Sequence, residues 1–78
     1  MKNQTYRVII RKEPEGNYTA FVPSLPGCIT WGDSIEETLE LAKDAIEGCL
    51  EIMKEEGIEI IDDSNTFEYS LQIENIAA

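Results

Sequence analysis

Residues 17–37 read NYTAFVPSLPGCITWGDSIEE, and this stretch decides the architecture. Tyr18, Ala20 and Val22 alternate with Thr19 and Phe21, the period of two that marks a strand. Pro23 and Pro26 have no amide to donate, and Gly27 follows, so Pro23–Gly27 is a rigid, bulged connection and not a continued ladder. Cys28 to Trp31 then reads as a short strand closed by Gly32. A helix begins immediately afterwards. Ser34 caps the N3 amide and Glu37 reaches back to the Ser34 amide, the two halves of a capping box. Asp33, Glu36 and Glu37 also suit the positive end of the helix dipole.

The elements on either side follow from this centre. Thr5 to Lys12 alternates Tyr6, Val8 and Ile10 with Arg7, Ile9 and Arg11, which predicts a first strand. Glu13-Pro14-Glu15-Gly16-Asn17 is a turn of hairpin length. Downstream, Ile35, Leu39, Ala42, Ile46, Cys49, Leu50 and Met53 recur at spacings of three and four and form one apolar stripe. The helix is expected from Ile35 to Glu56, stopped by Gly57, with Ile58 against Met53 in a Schellman arrangement. Gly48 lies inside it, at about 1 kcal/mol less favourable than Ala; it marks either close backbone packing or a tolerated weak point. Ile60 and Ile61 are expected to dock on the core, and Asp62-Asp63-Ser64-Asn65 reads as a turn. Phe67, Tyr69, Leu71 and Ile73 alternate with Glu68, Ser70, Gln72 and Glu74, which predicts a final strand.

The order is therefore β-β-β-α-β in one α+β domain over residues 1–78. A right-handed crossover places the last strand parallel to the first, giving a four-stranded mixed sheet in order 3-2-1-4 with the helix on one face. The other face carries Ile9, Thr19 and Phe21 without a second layer. That exposure, with the open sheet edges, predicts self-association or a protein partner.

Composition narrows the functional classes. The 78 residues carry 16 acids, 6 basic residues, no histidine and two cysteines, for a net charge of −10. No histidine means no Ser-His-Asp triad, no Cys-His pair and no His-ligated zinc. Cys28 and Cys49 fit neither a C-x-x-C pair nor a zinc set, and each is read as a small core residue or as a reactive or bridging thiol. With no signal peptide and no membrane-length apolar run, a cytoplasmic protein with reduced thiols is expected. No cofactor or metal is expected. The charge is polarised: Lys2, Arg7, Arg11 and Lys12 stand in a first dozen residues free of acid, whereas all acids follow, beside only Lys43 and Lys54. Glu36, Glu40, Asp44, Glu47, Glu51 and Glu55 line the outward helix face. They form a solvated face or a surface that recognises a basic protein. Trp31 is a candidate interface anchor or packs against the helix start. Arg7, Ile9, Arg11 and Phe21 are candidates for self-association.

A family resemblance joins these pieces. Tyr6-Arg7-Val8-Ile9-Ile10, Glu15-Gly16-Asn17-Tyr18-Thr19-Ala20-Phe21-Val22-Pro23, Leu25-Pro26-Gly27-Cys28, Gly32-Asp33-Ser34 and Glu36-Glu37 resemble the HicB antitoxin pattern over roughly residues 5–56. The matched Gly16, Pro23, Pro26, Gly27, Gly32, Asp33 and Ser34 are architectural. Ser24 stands where an acid is frequent, and Thr38 where alanine is common. The resemblance implies a truncated RNase H-like fold without nuclease activity. It also implies a non-enzymatic antitoxin, typically a dimer or higher oligomer such as a tetramer. Its partner would be HicA, a small basic mRNA-cleaving toxin whose RNA-binding surface it masks. Many full-length members add a C-terminal operator-binding domain; none is read here, so no direct nucleic-acid binding is expected, and no membrane contact. The alternative is a solitary HicB-like oligomeric binding protein without a toxin partner.

Overall fold

The computed structural model describes residues 3–76. Lys2 of the basic N-terminal stretch and the last two residues of the tail lie outside the described residues. Three strands, β1 (Ile9–Lys12), β2 (Tyr18–Phe21) and β3 (Ile29–Gly32), precede one helix, α1 (Ile35–Glu55). The strands form an antiparallel meander in order β1-β2-β3. Ile9 pairs with Phe21 and Phe21 with Ile29; Arg11 pairs with Thr19 and Thr19 with Trp31. Each strand is four residues long, so the ladder of β1 begins four residues later than its alternation suggested.

The connection from Val22 to Cys28 is the densest part of the core. Its prolines remove ladder donors, and the chain closes on itself instead: Val22 N donates to Cys28 O at 3.1 Å, Leu25 N to Val22 O at 3.0 Å and Cys28 N to Leu25 O at 3.0 Å. Val22, Leu25 and Cys28 are buried together against Tyr6, Val8, Ala45, Ile46, Cys49, Leu50 and Met53. The helix thus packs over the β1–β3 face that carries Ala20. Its N-terminus is capped by Ser34, whose hydroxyl accepts from Glu37 N at 3.1 Å, an interaction of about 1 kcal/mol. Its C-terminus is a Schellman motif. Gly57 sits at φ +70, a left-handed conformation that glycine adopts without strain, Ile58 N donates to Met53 O at 2.9 Å, and Gly57 N to Lys54 O at 3.2 Å.

Contact between helix and sheet is closest at Gly32. A β-carbon there would lie 2.8 Å from the Thr38 Oγ1 and 3.2 Å from the Thr38 amide. Thr38 itself is fully buried, its hydroxyl donating to Ser34 O at 2.6 Å. The apolar spacing leaves Thr38 out because it is polar; turning its hydroxyl onto the preceding turn lets it serve as core. Conversely, Ile35 and Leu39 at the start of the stripe are nearly half exposed. A β-carbon at Gly48 would meet nothing within 4 Å, so close backbone packing is not the reason for that residue.

The expected four-stranded sheet in order 3-2-1-4 is not formed. Residues 67–74 pair with no strand, and all are exposed. Alternation makes a segment competent to be a strand, but pairing needs an edge for it to lie along. Here the chain returns from Gly57 to the start of the first strand, where Asp63 N donates to Thr5 O at 2.7 Å, and then leaves the body. The structure is accordingly long, 48 × 28 × 20 Å, with a radius of gyration of 15.1 Å, against about 11.5 Å for a compact chain of this length. Ile60 is half-buried, whereas Ile61 is exposed and contributes only its carbonyl, accepting from the Tyr6 hydroxyl at 3.0 Å.

Candidate functional site

Two surfaces carry the residues singled out from sequence. Antiparallel partners share a face. Ala20 and Gly32 meet the helix, so Ile9, Phe21 and Ile29 form one row on the opposite face, and Arg11, Thr19 and Trp31 form the next. Trp31 is 67% exposed and Ile29 56%. A shallow groove of about 410 Å³ runs along this face past Arg11, Thr19, Phe21 and Ile29 to the prolines 23 and 26. An exposed tryptophan beside branched and aromatic side chains is the composition of a protein-contact surface.

The second surface is the outward side of α1. Glu36, Glu40, Asp44, Glu47 and Glu51 are all exposed there. Leu41 of α1 lines a pocket with Ile29, Thr30 and Trp31, so the helix flank reaches Trp31 at the β3 edge, and Glu47 lines the groove beside Tyr6 and Val8. Sequence reasoning offered Trp31 and these acids alike as candidate partner-binding residues; the strand alternation puts Trp31 in a row with Arg11 and Thr19, on the face that carries Ile9 and Phe21.

Arg7 is committed within the chain. Its Nε lies 3.6 Å from Asp63 Oδ2, and its Nη1 lies 3.5 Å from Glu68 Oε1. Arg11 is largely exposed, 3.7 Å from Glu13 Oε1. Of the architectural residues, Gly16 sits in the exposed turn between β1 and β2, Pro23, Pro26 and Gly27 in the core-forming connection, and Asp33 beside the cap Ser34.

Asp63 is the residue that sequence reasoning passed over. In a turn cluster it looked like a solvated cap, yet it is buried. Its carboxylate accepts from Arg7 N at 2.9 Å and from the Ser24 hydroxyl, joining the first strand, the proline-rich connection and the C-terminal loop. The Arg7 amide, with the Ser24 hydroxyl second, holds its carboxyl below the ordinary aspartate value despite burial. Ser24 thus donates to an acid from the loop. Neighbouring Asp62 is half-buried and accepts from Thr5 N at 3.1 Å and from the Ser64 hydroxyl at 2.8 Å.

Among the described residues no three Cys, Asp or Glu side chains converge where they could hold a metal. Burial, with Cys49 alongside, pushes the Cys28 thiol up to about 11, a buried thiol with little thiolate at neutral pH. Among the described residues no helix is long and apolar enough to cross a membrane.

Comparison with known proteins bears on these surfaces. Residues 6–77 match the family model described as HicB-like antitoxin of bacterial toxin–antitoxin system. A UPF0150 protein of Archaeoglobus fulgidus is 45% identical over 49 residues, covering 63% of this chain and 71% of that protein. Antitoxin HicB 1 of Photorhabdus laumondii is 37% identical over 60 residues, 77% of this chain but 39% of that longer protein. The crystal structure of the N-terminal domain of Burkholderia pseudomallei antitoxin HicB superposes with a TM-score of 0.65 at 24% identity, over 87% of this chain and 72% of that one, a likeness of fold.

Proposed function

The chain belongs to the HicB-like antitoxin family, and from that premise we propose that it acts by binding, neutralising a small basic mRNA-cleaving toxin of HicA type. The observation that carries this reading is the run of exposed acids along α1, Glu36, Glu40, Asp44, Glu47 and Glu51, in a chain of net charge −10. A toxin that grips RNA must present cations to phosphates. An acidic helix face competes for those same cations, steers the encounter and covers the RNA-binding surface. Antitoxin action of this kind needs no catalytic group.

The test mixes the purified chain with the product of a short basic reading frame adjacent to its gene. RNA cleavage should stop at near-stoichiometric ratios, and the double variant Glu40→Lys/Glu47→Lys should need at least tenfold more protein. Undiminished cleavage under excess wild-type protein rejects the proposal.

A further inference from the structure

The segment after Thr66 is an exposed strand pattern without a sheet. Phe67, Tyr69, Leu71 and Ile73 are 78, 84, 82 and 76% exposed, and alternate with Glu68, Ser70, Gln72 and Glu74. Four large apolar side chains on one side of an unpaired segment are costly to leave in water. The body of the fold has a matching vacancy. β1 is an edge strand. The hairpin bond from Glu13 N to Asn17 O, continued through the Arg11–Thr19 and Ile9–Phe21 pairs, leaves the backbone groups of Val8, Ile10 and Lys12 facing outward. Beside this edge a groove of about 480 Å³ runs between Tyr6 and Val8 on one side and Leu39, Ile46 and Leu50 on the other. The half-exposed Leu39, unexplained by packing within the chain, is one of its walls.

We infer that the arm of one copy adds as a strand to the β1 edge of a second copy, its apolar side chains entering the groove between β1 and α1, and that the exchange is reciprocal. Charge selects this edge and this occupant. The arm carries Glu68 and Glu74 and no cation, whereas Arg11 and Lys12 belong to the receiving strand and Lys43, beside Glu47, to the groove. The opposite edge, β3, has no cation and leads into Asp33. A basic toxin would be repelled from the cationic strand that attracts the arm. Asp63 fixes the start of the arm beside Thr5 and Arg7, from where it projects away from its own body. Burying side chains of this size removes roughly 150 Å² each. Two arms alone then remove about 1,200 Å², the lower limit for a stable interface before the receiving grooves are counted. Two-fold exchange closes on itself and leaves no arm free to propagate.

The test uses the full chain. In a one-to-one mixture of ¹³C-labelled and unlabelled copies, isotope-filtered NMR should show contacts between the methyls of Leu71 or Ile73 and those of Val8 or Leu50 across copies. Leu71→Asp, at a position too exposed to matter for folding of the body, should halve the assembly mass by light scattering or raise its dissociation constant at least tenfold. Contacts found only within one chain overturn the inference, as does an assembly unchanged by Leu71→Asp. A groove that fills only when toxin is added also overturns it. Arm exchange does not depend on the toxin reading: failure to inhibit RNA cleavage leaves these measurements untouched.

Discussion

Replacing Asp63 by alanine removes the acceptor that joins three parts of the chain. The Arg7 amide, 2.9 Å from the carboxylate and half-buried, is left without a partner. The Ser24 hydroxyl, on an exposed residue, regains water at little cost. A hydrogen bond to a charged group contributes about 1.5–3 kcal/mol, so the loss is about 2–3 kcal/mol. A core of this size supplies only about 3–5 kcal/mol of net stability, so a large share of it hangs on one carboxylate. With a urea dependence of about 1 kcal/mol/M, the unfolding midpoint followed by circular dichroism should drop by about 2–3 M at fixed protein concentration. Asp62→Ala, whose partners Thr5 and Ser64 are exposed, should lose less than about 1 kcal/mol. Equal losses for the two variants, or an Asp63→Ala loss below about 0.5 kcal/mol, would refute the reasoning. Acid titration gives a second reading. Asp63 has a folded-state pKa below its unfolded value, so its contribution is complete above about pH 4 and fades as pH falls through the folded value. Relief of the net negative charge acts in the opposite direction. The readout is therefore the stability gap between wild type and Asp63→Asn, which should close as the pH is lowered.

Three further outcomes follow from the same geometry. Gly48→Ala should raise thermal stability by about 0.5–1 kcal/mol, because the added methyl meets nothing within 4 Å; a loss in a thermal melt would mean the helix is packed there. Gly32→Ala should cost about 1–3 kcal/mol, since its β-carbon would stand 2.8 Å from Thr38 Oγ1, and pairing it with Thr38→Ala should recover part of that in a double-mutant cycle. Cys28, buried and pushed up to about 11, should resist thiol reagents at pH 7.5 until denaturant is added; rapid labelling of the native protein counts against its place in the core.

Much of the fold is legible locally. The Ser34 cap, the Gly57 stop and the Ile58–Met53 closure are each decided within a few residues, and the helix ends one residue before its expected limit. The hairpin and the bulged connection are legible for the same reason, because prolines and glycines restrict their own backbone whatever surrounds them. Asp63 was not legible, since its partners Arg7 and Ser24 are 56 and 39 residues away and nothing next to it distinguishes a buried clamp from a solvated turn. Thr38 was missed because its polarity hides a hydrogen bond to the preceding turn.

By itself the sequence determined the hairpin, the third strand, the helix, the family and the polarity of charge, all properties of nearest neighbours, of composition or of motif order. Tertiary structure decided what lies opposite what. It put Trp31 in a row with Arg11 and Thr19, made Asp63 the link between distant segments, and left residues 67–74 outside the sheet that their alternation predicted. The physical reason is that a strand is completed by its neighbour's backbone. Periodicity announces which face of Phe67–Glu74 must be buried, but only the arrangement of the whole chain shows that the body it would pair with is not offered by its own fold.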